Sequence, residues 1–136
     1  MNTFKNALND LKSKDPKIRN KAALALRDLG DQRAVGPLIS AIINPDNSKS
    51  IGTMLYALEV MDCRELFLPL IRIAIGGNFE ASAIALDLLH EKDFFVTDED
   101  FTESKSFLDN IERSDLKDFQ SVALNELTEL FFNESV

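Results

Sequence analysis

The sequence predicts an all-α protein, an α-solenoid of about three stacked helical hairpins. The first observation behind this prediction is a repeat between segments 23–42 and 55–74, which align at an offset of 32 residues. The residues in register are Pro37, Leu38 and Ile39 in the first segment and Pro69, Leu70 and Ile71 in the second. A period of about 20 to 50 residues is typical of stacked supersecondary units. The second observation is that apolar residues recur at the three- and four-residue steps of one helical face.

The first complete repeat begins at Asp15, which is predicted to cap a helix whose first position is Pro16. Proline is tolerated there because the first N–H groups of a helix have no intrahelical acceptor. Gly30 is predicted to end this helix in the left-handed conformation, and Asp31 is predicted to cap the second helix of the hairpin. The predicted buried faces are Ile18, Ala22, Ala25, Leu26 and Leu29 in the first helix, and Ala34, Val35, Leu38, Ile39 and Ile42 in the second.

The two ends of the chain depart from the regular repeats of 15–90. Residues 1–14 match the second helix of a repeat, so they are predicted to form an N-terminal cap helix. Residues 91–136 are predicted to form divergent helices: a loop, a short helix around Phe107, and a longer final helix with Ser114 as its N-cap. Atypical terminal units are expected because a solenoid has to cover its exposed ends.

The length and composition predict a single cytoplasmic domain that is a monomer when free. A chain of 136 residues is long enough to bury one core. No apolar run reaches the roughly eighteen residues of a membrane span, and the N-terminal segment lacks the apolar stretch of a signal peptide. The one cysteine, Cys63, does not indicate a disulfide-bridged scaffold.

Charge is distributed unevenly along the chain. Residues 1–90 carry eleven Lys and Arg against ten Asp and Glu, a net charge of +1, whereas residues 91–136 carry four against thirteen, a net charge of −9. A strongly acidic segment repels phosphate backbones and favours a basic protein as partner. The basic stretch 12–21 has no interleaved aromatic side chain for base stacking, so nucleic acid is not an expected partner there either.

No motif of catalysis or cofactor binding is present, so we expect no enzymatic activity, cofactor or metal. Phosphate-binding glycine loops and the nucleophile motif G-x-S-x-G are absent. His90 has no nearby Cys or second His for a zinc site and is interpreted as a residue at a helix end. Cys63, beside Arg64, is interpreted as a small, partly buried side chain. Residues 98–103, DEDFTE, lack the glycine and the bidentate glutamate of a calcium loop.

Residues 15–42, DPKIRNKAALALRDLGDQRAVGPLISAI, resemble a HEAT repeat of the short bacterial kind that also occurs in phycobilin lyase subunits. The resemblance is weaker over 46–75, partial over 78–90 and absent beyond residue 91. It implies an α-solenoid fragment without implying a chemistry, because function depends on the residues that line the faces of the fold. It also implies that Arg19 pairs with a carboxylate of an adjoining turn or repeat. Asp28 and Asp31 are the candidates for that partner.

The sequence therefore favours a non-enzymatic protein-binding module, most concretely an acidic cytosolic immunity protein that neutralises a basic bacterial toxin. The alternatives are a general HEAT scaffold or adaptor and an accessory protein similar to bilin lyase subunits. The second repeat adds apolar surface, because Leu68 stands where the first repeat has Gly36 and Val60 stands where it has Asp28. Tyr56, in the place of Leu24, adds a polar tip. The candidate partner-binding residues are Asp98, Glu99, Asp100, Glu103, Asp109, Glu112, Tyr56 and Leu68.

Overall fold

The computed structural model describes residues 3–132, which are all-α, as the sequence predicts. Within this range there are eight α-helices and three short 3-10 segments, and there is no strand. The helices are α1 (Thr3–Asp10), α2 (Pro16–Leu29), α3 (Val35–Ile42), α4 (Ile51–Leu58), α5 (Phe67–Gly76), α6 (Phe79–Glu91), α7 (Asp98–Asp109) and α8 (Asp118–Phe131). None of these helices is both long and apolar enough to cross a membrane.

The helices form two compact units, one ending at Cys63 and the other beginning at Arg64. In the N-terminal unit, α2 packs against α1 and α4, and α3 packs against α4. In the C-terminal unit, α5 packs against α6, α7 and α8, and α6 also packs against α8. The buried side chains are mainly alanine, leucine, isoleucine and methionine in the first unit, with phenylalanine added in the second.

The predicted ends of α2 are confirmed. Asp15 has extended backbone angles, and its side chain accepts a hydrogen bond of 2.9 Å from the backbone N–H of Lys17, with Pro16 at the first helical position. Gly30 ends the helix at φ 60° and ψ 24°, and its N–H donates to the carbonyl oxygens of Leu26 and Arg27. These contacts satisfy backbone groups that a helix end leaves without partners.

Replacing Gly30 with alanine is expected to destabilise the N-terminal unit by about 1 kcal/mol, because a side chain at positive φ strains the backbone. Space is not the obstacle, since a Cβ at this position would meet no atom within 4 Å. The measurement is chemical denaturation followed by circular dichroism. Gly36→Ala is the matched control, because Gly36 also has open space around it but lacks positive φ. An equal loss in both variants would contradict the prediction.

The buried face of α2 is rotated relative to the predicted one. Ala22 and Leu26 are buried as predicted, but Ile18 and Leu29 are 41% and 45% exposed. Arg19 and Ala23 are buried in their place. The prediction failed because it assigned burial by hydrophobicity alone, whereas α2 has packing neighbours on two sides, α1 and α4.

Arg19 does not pair with Asp28 or Asp31, so that part of the sequence interpretation is wrong. The Arg19 side chain is only 4% exposed. Its Nε donates to the Ser50 hydroxyl at 3.2 Å and its Nη1 donates to the Ser13 carbonyl at 3.0 Å. Asp31 instead pairs with Arg33. Arg19 thus joins the loop before α2 to the segment that leads into α4.

In α2 it is Arg27 that reaches a carboxylate, at the C-terminal end of the neighbouring helix α4. Its Nη1 donates to the Tyr56 carbonyl at 2.7 Å, and its Nη2 lies 3.5 Å from Glu59 Oε1. The guanidinium also stacks over the Tyr56 ring at 3.8 Å. These contacts fasten α2 to α4, two helices that the repeat alignment makes equivalent.

A cluster of phenylalanine rings surrounds Phe67, a core residue of the C-terminal unit that is 1% exposed. Its ring meets those of Phe94, Phe131 and Phe132 at centroid distances of 5.8, 4.9 and 6.4 Å. Edge-to-face geometry such as that of the Phe67–Phe131 pair, with its interplanar angle of 90°, is the favoured arrangement of aromatic rings.

Two boundaries in the C-terminal unit differ from the predicted ones. The predicted loop through the acidic run is wrong, because α7 begins at Asp98 with Thr97 as its N-cap. The predicted N-cap Ser114 lies in a 3-10 segment, Arg113–Asp115, and α8 starts at Asp118. There, the Gln120 side chain accepts from the N–H of Lys117 at 2.8 Å and donates to the Ile75 carbonyl at 2.9 Å.

Candidate functional site

Six of the eight candidate partner-binding residues lie on α7 or just after it. Asp98, Glu99 and Asp100 form the first turn of α7, Glu103 and Asp109 follow on the same helix, and Glu112 precedes the next 3-10 segment. All except the half-buried Asp100 are exposed. We call these six residues the acidic surface.

The first three residues of the acidic surface have a structural role. The Thr97 hydroxyl accepts a hydrogen bond of 3.0 Å from the N–H of Asp100, which caps α7. Carboxylates in the first turn of a helix interact favourably with the positive end of the helix dipole. Helix formation alone therefore accounts for Asp98, Glu99 and Asp100 at these positions.

The remaining three acidic residues have no such role. Asp109 is the last residue of α7, where the negative end of the helix dipole disfavours a carboxylate. Lys105, one turn earlier, lies 3.2 Å from Asp109, and Arg72 lies 4.0 Å from Glu103, but exposed ion pairs of this kind contribute little stability. Glu112 makes no ion pair within the described residues, so helix stability does not account for its charge.

Much of the charge of the acidic surface is left without a cation. Asp98, Glu99, Asp100 and Glu112 form no ion pair with any residue in 3–132. The arginine nearest in sequence, Arg113, donates instead to the Asn125 side chain at 3.1 Å. The negative potential therefore extends into solvent, where its range is about 10 Å at 0.1 M salt.

A polar stripe along α7, unnoticed at the sequence level, runs beside these carboxylates. Thr102, Ser106 and Asn110 are spaced four residues apart, and all three line two shallow depressions of 750 and 410 Å³. The larger depression also holds Glu103 and the smaller one holds Asp109. The spacing was a usable sequence signal, but it was missed because this segment was predicted to begin as a loop.

Tyr56 and Leu68, the other two candidates, belong to different units. Tyr56 lies on α4 and is 42% exposed, with one face of its ring covered by the Arg27 guanidinium. Leu68 lies in the first turn of α5 and is half-buried. Tyr56 thus presents part of its side chain to solvent, and Leu68 presents less of its own.

The residues considered for metal or redox chemistry occupy structural positions. His90 is in the last turn of α6, with its Nε2 3.3 Å from Glu126 Oε2. Cys63 is 1% exposed, and its thiol donates to the Leu58 carbonyl at 3.3 Å. Residues 3–132 contain no cluster of three or more His, Cys, Asp or Glu that could hold a metal ion.

Asp31, a carboxyl with a lowered pKa, is not part of the acidic surface. Side-chain hydrogen bonds from Arg33, and then its backbone N–H, hold the pKa of Asp31 below its ordinary value. Asp31 caps the 3-10 segment Gln32–Ala34 that leads into α3. Because the folded-state pKa is lowered, the ionised Asp31 stabilises the folded state at any pH above the ordinary aspartate pKa. This stabilisation is lost as the pH falls through the lowered pKa.

Comparison with known proteins returned no matching family model, no matching curated protein and no matching solved structure.

Proposed function

We propose that this protein is a non-enzymatic binding module that captures a basic protein through the acidic surface of α7, and that it serves as an immunity protein against a toxin. The observation that carries the proposal is that four carboxylates on or just after α7, Asp98, Glu99, Asp100 and Glu112, make no ion pair within 3–132. Beside them, two polar depressions hold Glu103 and Asp109. An uncompensated field of one sign accelerates encounter with a partner of opposite charge and disfavours wrong partners.

The depressions suggest how a basic side chain would bind. An incoming Lys or Arg can donate to Glu103 or Asp109 and to the neighbouring oxygens of Thr102 and Ser106. Arg72 and Lys105 now hold those carboxylates through exposed ion pairs of 4.0 and 3.2 Å. Exchanging such a pair for one with the partner costs little, because exposed pairs are weak in the free protein.

The proposal includes a HEAT-like solenoid organisation of the repeats. It is supported in the N-terminal unit, where the equivalent helices α2 and α4 pack together and Arg27 links them through Tyr56 and Glu59. In such modules the exposed faces carry the binding function while the repeat supplies the scaffold.

Neutralising the acidic surface is expected to weaken partner binding about 100-fold at roughly 50 mM salt, which is about 0.5 kcal/mol for each charge removed. The variant combines Asp98→Asn, Glu99→Gln, Asp100→Asn, Glu103→Gln, Asp109→Asn and Glu112→Gln. The measurement begins with affinity capture from an extract of the source cells, followed by calorimetric titration of the captured protein. That protein is expected to be basic, to arrest growth when expressed alone, and to be neutralised by co-expression with the wild-type chain.

A matched control removes the same number of charges elsewhere, through Asp10→Asn, Asp28→Asn, Asp46→Asn, Glu65→Gln, Glu80→Gln and Asp87→Asn. All six of these residues are exposed and lie outside the acidic surface. Equal losses of affinity in the two variants would show that net charge alone causes the effect, and would refute a localised binding surface. Unchanged binding in the first variant would refute acidic capture. If the captured protein is not toxic, the immunity role is refuted and the function is that of a general adaptor.

A further inference from the structure

A second surface feature lies in the N-terminal unit, in a cavity of 610 Å³ between α1 and α3. Its volume is in the range of sites for small molecules. Its lining residues are Leu8, Leu11, Lys12, Gly36, Pro37, Ser40, Ala41, Asn44 and Asn47. None of them carries a negative charge, in contrast to the depressions on α7, so this cavity suits a different class of ligand.

One side of the cavity is apolar. Leu8 and Leu11 come from the α1 side, and Pro37 and Ala41 come from α3. Leu11 is 2% exposed and belongs to the core, whereas Leu8, Pro37 and Ala41 are half-buried and present part of their surface to a ligand. Contact with such side chains stabilises an apolar group by about 25 cal/mol for each Å² removed from water.

The remaining lining residues supply polar groups with unused hydrogen-bonding capacity. The Lys12 ammonium and the Ser40 hydroxyl make no hydrogen bond with any described residue, and Asn44 uses only its Oδ1, which accepts from the N–H of Asp46. A few polar groups that converge on an apolar pocket are the usual composition of a ligand site. Lys12 is the one charged residue of the lining, and a cation favours an anionic ligand group.

Asn47 is the most informative of these residues because it is 93% buried, with an exposed fraction of 7%. Its Nδ2 donates to the Ala41 carbonyl at 2.9 Å, which fixes the orientation of the amide. Its Oδ1 receives no hydrogen bond from residues 3–132 and keeps access to solvent, so it is free to accept a hydrogen bond from a ligand. A ligand that offers an N–H donor would satisfy it.

We infer that this cavity binds a small amphiphilic carboxylate that also carries an N–H donor, the chemistry of an N-acyl amino acid with an apolar side chain. The carboxylate pairs with Lys12, the N–H donates to Asn47 Oδ1, and the apolar side chain lies against Leu8 and Pro37. This role is independent of protein capture by the acidic surface, which lies in the other unit.

The test is titration of the ¹⁵N-labelled full chain with N-acetyl-L-phenylalanine, followed by NMR. A dissociation constant of about 0.5 mM is expected for a ligand of this size. Amide shifts are expected within 8–12 and 36–47. Two isosteres separate the contacts: the C-terminal amide lacks the charge, and 2-acetoxy-3-phenylpropanoate lacks the N–H donor. Each is expected to bind about fivefold more weakly.

Two variants test whether the ligand binds in this cavity. Lys12→Gln is expected to weaken N-acetyl-L-phenylalanine about fivefold and to leave the neutral amide unchanged. Gly36→Leu is expected to abolish binding without unfolding, because Gly36 lines the cavity, has open space around it and has no positive φ. The controls are Lys17→Gln, an exposed lysine outside the cavity, and Gly76→Leu, which also has open space around it.

Three results would overturn the inference. The first is the absence of shifts up to 10 mM ligand, roughly twenty times the expected dissociation constant. The second is equal binding of the acid, the amide and the ester, which would remove the roles of Lys12 and Asn47. The third is tenfold tighter binding of a tetrapeptide that ends in the same phenylalanine, which would assign the cavity to the C-terminus of a protein partner.

Discussion

Phe67→Ala is expected to lower the free energy of unfolding of the C-terminal unit by about 4 kcal/mol. Phe67 is 1% exposed, so alanine leaves a cavity that the surrounding helices fill only in part. The substitution also removes ring contacts with Phe94, Phe131 and Phe132. Each such aromatic pair adds about 0.5 to 1.5 kcal/mol of stability beyond that from buried area. The expected loss is therefore large for the truncation of a core side chain.

The measurement is urea denaturation followed by far-UV circular dichroism, with residue-level hydrogen exchange to assign the loss to helices α5–α8. Phe79→Ala is the matched control, because Phe79 is 69% exposed and has one ring partner within residues 3–132, Phe119, at 5.5 Å. That variant is expected to lose less than about 1 kcal/mol. Losses of similar size in both variants would show that Phe67 does not organise the core.

Arg19→Ala is expected to destabilise the N-terminal unit by about 3 kcal/mol. The side chain is buried and joins two segments through hydrogen bonds to Ser13 and Ser50. Alanine removes both bonds and leaves the Ser13 carbonyl without this donor, in addition to the volume lost between α2 and its neighbours. Breaking an interaction of a buried group costs more than the net contribution of that interaction, because the partner stays desolvated.

Arg19→Met separates the role of volume from that of charge. Methionine keeps most of the apolar stem and removes a buried cation that has no carboxylate partner in 3–132. We therefore expect a loss of only about 1 kcal/mol. Lys21→Ala, an exposed substitution on the same helix, is the control and is expected to change stability by less than about 0.5 kcal/mol. Chemical denaturation, with hydrogen exchange of α2, measures the stability of all three variants. Equal losses of stability for Arg19→Ala and Arg19→Met would contradict the volume argument.

Features set by local chemistry could be predicted from the sequence. The start of α2 depends on Asp15 and Pro16, and its end depends on the left-handed conformation of Gly30. These signals involve residues within a few positions of each other, so they need no knowledge of the rest of the fold. The exposed carboxylates of the candidate site were predicted for a similar reason, because charged side chains rarely lose their water without a partner.

Features that depend on contacts distant in sequence could not be predicted. Which arginine pairs with a neighbouring helix was decided by the packing of α2 against α4, which brings Arg27 to Glu59 and leaves Arg19 beside Ser50. The cavity that holds Asn47 likewise depends on the gap between α1 and α3. A hydrophobic pattern specifies that a helix buries a face, but several rotations of α2 satisfy it almost equally well.

The residues alone thus dictated an all-α chain, the ends of α2 and an acidic C-terminal segment, because capping, glycine geometry and charge act over one or two helical turns. The assembled helices set the rotation of α2 and the burial of Arg19. These properties minimise exposed apolar area and unpaired polar groups over many helices at once. They can therefore be decided only in the packed structure, where all of these contacts are present together.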